Sequence, residues 1–535
     1  MATWHVRPDA SHGGTNAGIS YANAWQGWAS IVWGAGGVIG GDTLILHGTF
    51  TQSGGSLTVG AHGASSITAP AIISGASEYA PGVIALDGAN YYPGRNYTTT
   101  EDLTIVRTGS LGSVVYTNLA QNPVIRRCDI SGGSGGISLD SSIAFQNVVI
   151  EDNYIHDIGG TRGSNGRGIS HLPNSASLTM SNYIVRRNKL ERCADLGIRI
   201  SVESSGYDTC TFDGVMIEDN TITDSGGGMW IRSGQADTTT PIVLYSKGLV
   251  IRGNTVARNG VPAGTSVGAL GGISFSGFTA PECHNNVVDS VYVSGAGIQT
   301  AKNINPRIYD NDIRSVRSGT VLSAYQGGFP IDGNGIFFDN LTQGGAAFSN
   351  RISDLVSTGI NNSGTALAFW DCNSATYSGN VVTDCYRGGS FGRNVEFANR
   401  FLNNTFVRCE IGITRIGTDA LTGSVTARNN VFIDCQTGYS FGSNPSIDED
   451  FSWVFGSDTA YSGISQGANS TVDEDPLLDS GYRPREGSPL IGAATYIAGA
   501  RHMNGKRMSV INPTIGAYNY EAPRSVALTR AIAGP

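Results

Sequence analysis

The chain has few charged residues and lacks a long apolar run. Asp, Glu, Lys and Arg make up 14% of its 535 residues, against about a quarter in ordinary globular proteins. No stretch of 18 apolar residues occurs, so the sequence predicts no transmembrane helix. The net charge of −9 provides no general attraction to nucleic acid or to an anionic membrane surface. We therefore expect neither nucleic-acid binding nor membrane insertion.

Motifs for metal binding and for secretion are also missing. The eight cysteines form no CxxC pair, and the eight histidines show no paired ligand spacing, so we expect neither a metal nor a cofactor. The acidic runs at 446–451 and 472–478 lack the pattern of a calcium-binding EF-hand loop and are more typical of solvated loops. The opening stretch "MATWHVRPDASHGG" has no basic segment followed by an apolar one, so we expect no secretory signal. On this basis we expect the protein to stay in the cell that made it or to leave by a route such as lysis.

Glycine and a spaced asparagine motif are what the sequence has in abundance. The 74 glycines are about twice the usual share, and together with Asn, Ser, Thr, Val and Ile they are typical of short strands joined by turns. An asparagine followed two residues later by an aliphatic residue or Phe recurs ten times, and Cys128 occupies that place in an eleventh copy, at intervals of 24 to 39 residues. The marker asparagines are Asn153, Asn188, Asn220, Asn254, Asn286, Asn311, Asn350, Asn380, Asn404 and Asn430.

Each copy continues through a turn into glycine and alternating apolar residues, as in "GGMWI" at 227–231. Alternation with period two predicts strands, and no helical pattern lies between the copies. Short strands that recur in this way predict an all-β fold, a solenoid of parallel strands. Asparagines at the same corner of successive coils would stack into a ladder of hydrogen bonds. With strands about 4.8 Å apart, the ten intervals give a rod of roughly 50 Å.

The acidic motif IEDN occurs twice, at 150–153 and 217–220. Its carboxylates are replaced in other copies whereas the asparagine stays, so we interpret them as outward, solvated positions beside a structural corner. Four cysteines lie five residues after a marker asparagine, which predicts an inward stack of free thiols and no disulfides. These are Cys193, Cys385, Cys409 and Cys435.

The two ends of a solenoid expose strand edges and core and therefore need covers. The segment Asn23–Trp33 predicts a short capping helix that starts at Asn23 and has Trp25, Trp28, Ala29 and Val32 on one face. The chain is thereby divided into four parts. These are an N-terminal cap with the first strand (1–50), the coils (51–445), a C-terminal end with a small cap (446–520) and an extended tail that would dock to a partner (521–535).

Both ends and the coils together resemble a known superfamily. The stretches "TNAGISYANAW…GGDTLILHGTF" and "DPLL…YRPREGSPLIGA…PTIGAYNY", with the asparagine-marked coils between them, resemble right-handed parallel β-helix proteins of the pectate-lyase-like superfamily over residues 4–520. The resemblance implies a right-handed, single-stranded parallel β-helix. That superfamily includes polysaccharide lyases, glycoside hydrolases, non-catalytic members, and phage tailspikes and depolymerases, which are usually trimers.

The chain looks most like the tailspike and depolymerase members. This likeness implies a homotrimer that binds a bacterial surface polysaccharide and contacts other tail or baseplate proteins. Such a protein is made in the host cytoplasm and ends in the virion. The alternative location is extracellular and bacterial.

Strand alternation predicts which side chains point outward after each glycine turn. It places Trp230 next to Arg199 in one outward column and Arg232 in a second. An aromatic face stacks on sugar rings, and arginine forms bidentate hydrogen bonds with carboxylates. We therefore predict that Arg199, Trp230 and Arg232 bind substrate. The first column comprises Ser170, Arg199, Trp230, Ser274 and Gln299, and the second comprises Ser201, Arg232 and Ser276.

Catalysis would need further groups near these columns. Glycosidases use two carboxyl groups about 5 Å apart or about 6.5–9.5 Å apart. Glu203 and Asp237 follow the Arg199 and Trp230 strands and are the first candidate pair, with Asp332 and Asp339 as the alternative. A lyase would instead need a base such as His171 beside cations that hold the uronate carboxylate.

Three functions remain open at this point. The first is a phage tailspike or tail fibre that binds and depolymerises a capsule or O-antigen. The second is a receptor-binding or structural virion protein without catalysis. The third is a bacterial polysaccharide lyase or glycoside hydrolase. The sequence decides neither between hydrolysis, elimination and no catalysis, nor which sugar is bound.

Overall fold

Short segments in which buried and accessible residues alternate form the strands of this protein. In the strand Thr104–Thr108, the side chains of Ile105 and Arg107 are buried while those between them are more accessible. The strands wind into a parallel β-helix, as the sequence predicts. The computed structural model describes residues 1–8, 15–109, 112–118, 121–141, 144–160, 165–173, 178–202, 210–233, 246–260, 270–293, 296–318, 333–339, 341–356, 364–392, 398–417, 425–442 and 447–520.

The first of three sheets carries the strands that precede the marker asparagines. Stacked aliphatic residues such as Ile125, Ile150 and Val185 share one register position and fill the interior. Within the described residues, its strands are Thr3–Arg7, Trp25–Gln26, Thr43–Leu46, Ala71–Ser74, Thr98–Glu101, Val124–Arg126, Val149–Glu151, Thr179–Arg186, Thr211–Glu218, Ser246–Arg252, Phe278–Thr279, Glu282–His284, Arg307–Tyr309, Ala346–Phe348, Thr376–Ser378, Asn399–Leu402, Val425–Arg428 and Ile447–Asp450.

The second sheet consists mostly of strands of three to five residues that directly follow the asparagine corner. Its central residues, such as Ile155 and Leu190, stack in register and are buried. The described strands are Thr49–Ser53, Val83–Asp87, Thr104–Thr108, Asp129–Gly132, Tyr154–His156, Lys189–Glu191, Thr221–Thr223, Thr255–Ala257, Val287–Asp289, Asp312–Arg314, Arg351–Leu355, Val381–Cys385, Thr405–Val407, Val431–Ile433, Trp453–Phe455 and Thr471–Val472.

The third sheet contains the strands that follow the glycine turns. They pair in parallel, apart from one antiparallel pairing between Leu270 and Val293 in the described part of the chain. The described strands are Ser56–Thr58, Asn90–Tyr92, Ser113–Thr117, Gly135–Ser141, Arg167–Pro173, Leu196–Ser201, Gly227–Arg232, Leu270–Ser276, Tyr292–Val293, Ala296–Ala301, Arg317–Ser318, Asn334–Asp339, Thr365–Phe369, Arg387–Phe391, Ile411–Arg415, Thr437–Ser440 and Thr459–Ser462.

The marker asparagines form one continuous ladder. From Asn153 to Asn430, each Nδ2 donates to the Oδ1 of the next asparagine over 2.9–3.2 Å. The same Oδ1 atoms accept backbone N–H groups, as between Asn220 N and Asn254 Oδ1 at 3.0 Å. Because every member is buried, the ladder satisfies polar groups at a corner without water. The predicted structural role of the asparagines is confirmed.

The acidic residues of the IEDN motifs differ from the predicted solvated positions. Glu151 is only 8% exposed, and its carboxylate pairs with Arg186 at 2.7 Å and with Arg187 at 2.9 Å. Asp152 adopts a left-handed backbone with φ of 58° and pairs with Arg187 at 2.8 Å. The structural interpretation of the motif therefore holds. The glutamate, however, is packed beneath arginines of the next coil, and only the aspartate lies at an accessible corner.

The cysteines follow the prediction of a thiol stack. All eight are buried and carry free thiols. Leu355 pairs in register with Cys385, and Cys385, Cys409 and Cys435 take the same place in three consecutive coils. A small apolar side chain at that inward position packs against its neighbours in the coils above and below.

The N-terminal helix predicted over Asn23–Trp33 is wrong. Trp25–Gln26 forms a short strand beside Val6–Arg7, and only Trp28–Ser30 makes a turn of 3₁₀-helix. Gly27 lies between them with φ of 81°, which interrupts any helical backbone. The tryptophans of this segment nonetheless cover the first coil, because Trp25 is 2% exposed and packs on the core.

The C-terminal segment from about residue 476 to 520 packs against the outer side of the last coils. Leu490 and Ile515 lie in an apolar cluster with Val431 and Trp453 of the second sheet. Ala517 N donates to Thr405 Oγ1 over 2.9 Å. The predicted tail at 521–535 lies outside the described residues. None of the helical structure in the described part of the chain is long and apolar enough to cross a membrane.

Candidate functional site

The outer face of the third sheet carries the first predicted column. Ser170 pairs in register with Arg199, Arg199 with Trp230, Trp230 with Ser274, and Ser274 with Gln299. The residues on either side of each member, such as those flanking Trp230 in its strand, are buried in the core. The strand alternation read from the sequence therefore predicted this alignment correctly.

The second column runs parallel to the first, two residues further along each strand. Ser201 pairs with Arg232, and Arg232 with Ser276. The column continues through Ala301 to Asp339. The two columns together bring Arg199, Trp230 and Arg232, which the sequence analysis assigned to substrate binding, into one cluster.

Trp230 is the centre of this cluster. The guanidinium carbon of Arg199 lies 4.7 Å from the centroid of the indole ring, and that of Arg232 lies 5.6 Å from it. Both distances are within the range of attraction between a cation and an aromatic face. Arg199 is 2% exposed, and its Nε donates to Ser201 Oγ over 3.3 Å. Arg199 is thus buried and packs against the tryptophan. Its place in an outward column had predicted an exposed side chain.

Arg232 is the accessible cation of the cluster. It is half-buried, and loss of solvation lowers the pKa of its guanidinium to about 10. Within the described residues its guanidinium has no carboxylate partner. A partly desolvated cation without a counter-ion attracts an anion, because the anion returns the electrostatic stabilisation that burial removed.

An aromatic group lies on the N-terminal side of the cluster on the same face. The rings of Tyr92 and Tyr116 are stacked with centroids 6.2 Å apart, and the hydroxyl of Tyr92 donates to Asn118 Oδ1. Asp140 lies in the second column, and burial raises the pKa of its carboxyl, against the opposing effect of the Arg167 charge. Asp140 is not among the residues predicted from the sequence, although the alternation in "GGISLDS" places it outward next to inward Leu139.

A hydrogen-bonded polar pair and a small apolar cluster lie on the C-terminal side of Trp230, on the same face. Gln299 Nε2 donates to Asp339 Oδ2 over 2.9 Å. Phe337 and Ala368 form a small apolar cluster against which the half-buried Trp370 packs. Trp370 is therefore a second tryptophan on this face that the sequence analysis did not single out.

Neither candidate acid pair lies wholly within the described residues, so both pairs stay predictions. Glu203, Asp237 and Asp332 lie outside those residues. Asp140 and Asp339 stand on strands six strand-to-strand steps apart, which is roughly 29 Å at about 4.8 Å a step. That separation is far beyond the roughly 5–9.5 Å of glycosidase carboxyl pairs. Asp339 and Asp140 therefore do not act on one glycosidic bond together.

His171, the alternative catalytic base, lies in the core. It is 0% exposed, and its ring stacks on Tyr183 with centroids 5.2 Å apart. Neither ring nitrogen has a hydrogen-bond partner in the described part of the chain, and burial lowers its pKa to about 3. His171 pairs in register with buried Leu139 and Ile200, so its side chain points into the coil and does not reach the outer face.

Comparison with known proteins supports the fold and its hand. Residues 85–212 match the family described as right handed beta helix region. The fold is thus a right-handed parallel β-helix, as the sequence predicts. That match includes the strands of Asp140, His171 and Arg199. No curated protein is similar to the chain at a significant level.

Several solved structures are similar to this chain at low identity. The mannuronan C-5 epimerase AlgE6 A-module of Azotobacter vinelandii is 12% identical, with 88% of this chain and 100% of that chain covered and a TM-score of 0.38. Pectate lyase Pel9A is 13% identical, with 97% of each chain covered and a TM-score of 0.25. The GH136 lacto-N-biosidase of Eubacterium ramulus is 11% identical, with 89% of this chain and 68% of that chain covered and a TM-score of 0.30.

Proposed function

We propose that the protein binds an acidic bacterial surface polysaccharide on the outer face of its third sheet, as a phage tailspike does. The observation that carries the proposal is the half-buried Arg232, which has no carboxylate partner among the described residues and lies against the half-exposed ring of Trp230. The guanidinium would pair with the carboxylate of an acidic sugar, and the indole would stack on its ring.

The extent of the face favours a polymer over a single sugar. Tyr116 lies four strand-to-strand steps before Trp230, and Trp370 follows the strand four steps after it. At about 4.8 Å a step, each flanking ring is roughly 19 Å from the centre. Aromatic rings at three places along the rod would contact separate sugars of one chain that lies parallel to the axis.

The biological setting in the proposal is a phage tail. Its support is the likeness of the terminal stretches and the asparagine-marked coils to tailspike members of the pectate-lyase-like superfamily. A homotrimer, contacts with other tail or baseplate proteins, and a place in the virion belong to the same proposal. Measurement of the molecular mass of the purified protein in solution tests the proposed homotrimer. The mass of a monomer would contradict it.

Binding without cleavage is the second candidate function. Within the described part of this face, Asp140 and Asp339 are separated by roughly 29 Å and form no glycosidase pair, which favours this function. Incubation with the polysaccharide that binds best, with reducing ends and unsaturated-uronate absorbance recorded together, distinguishes the candidates. Reducing ends alone indicate a hydrolase, both signals indicate a lyase, and neither signal indicates a protein that only binds.

A binding panel tests the main proposal. The purified protein is titrated with polygalacturonate, alginate and colominic acid, and with neutral dextran as the control ligand. We expect an acidic polymer to bind, and the variants Trp230→Ala and Arg232→Gln to lose about tenfold or more in affinity, as loss of a charged hydrogen bond implies.

A matched variant controls for the loss of one arginine. Arg483 also lies over an aromatic ring, that of Tyr518 at 5.4 Å, but in the C-terminal segment. Arg483→Gln should bind like the wild type. Equal affinities of the wild type, Trp230→Ala and Arg232→Gln for every acidic polymer would refute the proposed face.

A further inference from the structure

A separate cavity lies between the first sheet and the C-terminal segment. Its volume is about 100 Å³. One wall is the outer face of strands Ala346–Phe348, Thr376–Ser378 and Asn399–Leu402, and the other is formed by Ala498, Gly499 and Arg501. Ser378 Oγ donates to the carbonyl of Arg501 over 2.9 Å, which fixes the segment against the sheet. The cavity belongs to a different sheet from Trp230.

The positive charge of Arg501 dominates one side of the cavity. Its guanidinium carbon lies 4.7 Å from the centroid of the Phe348 ring, and its Nη1 donates to the carbonyl of Gly505 over 2.7 Å. Burial and the nearby charges of Arg307 and Arg507 lower the pKa of Arg501. Arg501 therefore brings a positive charge to one wall of a partly desolvated space.

Arg400 supplies a second cation on the opposite wall. It is half-buried, and its guanidinium has neither an ion pair nor a hydrogen bond within the described residues. Its register neighbours on the two adjacent strands are Thr376 and Thr426, so no carboxylate lies beside it on the sheet.

Other arginines of the same outer face have acidic partners. Arg307 pairs with Glu282 at 2.7 Å, and Arg428 pairs with Asp448 at 2.8 Å. Arg400 differs from both because it borders the cavity and lacks such a partner. A half-buried charge without compensation is costly, and an anion in the cavity would remove that cost.

The size of the cavity restricts the ligand. A bound water needs roughly 10–15 Å³ of such space, whereas sites for drug-sized ligands measure about 300–1,000 Å³. The cavity therefore admits a group of a few heavy atoms and no oligosaccharide. The planar guanidinium group of arginine forms bidentate hydrogen bonds with the oxygens of carboxylate and phosphate groups.

We propose that this cavity binds a small oxyanion, such as phosphate, sulfate or the carboxylate of a single acidic sugar. Arg400 and Arg501 hold it from opposite walls, the Thr376 hydroxyl donates to it, and Phe348 provides the apolar side. The site is independent of the polysaccharide face, so either proposal can fail while the other holds.

Calorimetric titration of the full chain tests the site. Sodium phosphate, sodium sulfate and sodium glucuronate are added separately in a chloride buffer, with sodium chloride at matched ionic strength as the blank. We expect one oxyanion to bind with one-to-one stoichiometry and to raise the melting temperature above that in chloride. Tightest binding of glucuronate assigns the site to an acidic sugar, and tightest binding of phosphate or sulfate assigns it to an inorganic ion.

Variants at Arg400 decide whether binding occurs in this cavity. The Arg400 guanidinium has neither an ion pair nor a hydrogen bond within the described residues, so Arg400→Gln should melt in chloride at or above the wild-type temperature and lose about tenfold or more in oxyanion affinity. Arg400→Lys keeps the charge and should retain part of the affinity. Arg485→Gln removes an exposed arginine elsewhere and should bind like the wild type. Absence of any oxyanion binding above chloride, or wild-type affinity in Arg400→Gln, would overturn the proposal.

Discussion

The guanidinium carbon of Arg232 lies 5.6 Å from the centroid of the Trp230 ring on the outer face of the third sheet. The two side chains leave the same strand, two residues apart, and therefore point to the same side. The ring is half-exposed, and the cation is half-buried without a counter-ion among the described residues. This pair combines a flat apolar surface with a positive charge, which is the combination that the proposed binding of an acidic sugar needs.

Substitution of Arg232 by lysine separates charge from shape. Arg232→Lys keeps a positive charge but loses the planar fork that pairs with a carboxylate at two points. We expect its affinity for the acidic polymer to lie between those of the wild type and Arg232→Gln, measured in the same titration. An affinity of Arg232→Lys equal to that of Arg232→Gln would show that charge alone does not contribute.

Loss of one asparagine from the ladder should destabilise the rod. Asn254 Oδ1 accepts the backbone N–H of Asn220 at 3.0 Å, and its Nδ2 donates to the carbonyl of Ile217 at 2.9 Å. Asn254→Ala leaves these buried groups without partners, so we expect a loss of about 3 kcal/mol in the free energy of unfolding. Urea denaturation followed by circular dichroism measures it.

The control for the ladder is an exposed asparagine. Asn469 donates from Nδ2 to Asp450 at 3.0 Å in an exposed position, and Asn469→Ala should cost less than about 1 kcal/mol. Similar losses in the two variants would contradict a special role of the ladder.

The two carboxylates of one IEDN motif should differ in their contribution to stability. Glu151 is buried and forms ion pairs with Arg186 and Arg187, so Glu151→Gln weakens two charge-assisted contacts and should cost about 2 kcal/mol. The hydrogen bond from Arg187 lowers the pKa of Asp152, but that pair lies at an accessible corner. Asp152→Asn should cost less than about 1 kcal/mol, since asparagine also tolerates a left-handed backbone. Thermal denaturation at neutral pH measures both variants. A lower melting temperature for Asp152→Asn than for Glu151→Gln would contradict this distinction.

The buried His171 makes the protein less stable in acid. Its pKa in the folded protein is about 3, whereas an unfolded histidine titrates near about 6.5. Between these values the unfolded chain binds a proton that the folded chain does not, so stability falls as pH falls from about 6.5. His171→Phe removes this effect and should be more stable than the wild type, by about 2 kcal/mol more at pH 5 than at pH 7.5.

Tyr183→Phe is the matched control for His171. The Tyr183 hydroxyl is also buried without a hydrogen-bond partner in the described part of the chain, but burial raises its pKa. Its substitution should therefore change stability equally at pH 5 and pH 7.5. Urea denaturation at both pH values compares the variants, and a pH-independent effect of His171→Phe would refute the assignment.

The thiols provide a test of the packing. All eight are buried, so a thiol reagent such as Ellman's reagent should modify none of them rapidly in the folded protein and all eight in denaturant. Rapid modification of two or more thiols in the folded protein would contradict the inward stack.

The repeated features of the fold could be predicted from the sequence. The asparagine ladder and the alignment of Arg199 with Trp230 follow from spacing and strand alternation, because every coil repeats the same corner. The N-terminal helix could not be predicted correctly, because Gly27 and the pairing of Trp25 with Val6 override the helical spacing of the tryptophans. Pairing with a distant strand is invisible in a local pattern.

The proposed binding face was predicted only in part. Local alternation identified Trp230 and Arg232, and applied to every coil it would have identified Asp140. It could not predict that Arg199 is covered. It also could not predict the cavity at Arg400, because that cavity exists only where the C-terminal segment packs on the first sheet, about a hundred residues later in the chain.

A crystal structure with a bound acidic oligosaccharide is the sharpest test of the binding face at Trp230 and Arg232. The oligosaccharide is prepared by partial acid hydrolysis of the polymer that binds best and is soaked into crystals of the full chain. We expect a sugar ring stacked on the Trp230 indole with its carboxylate within hydrogen-bond distance of the Arg232 guanidinium. An oligosaccharide bound on another sheet, with no density over Trp230, would contradict it.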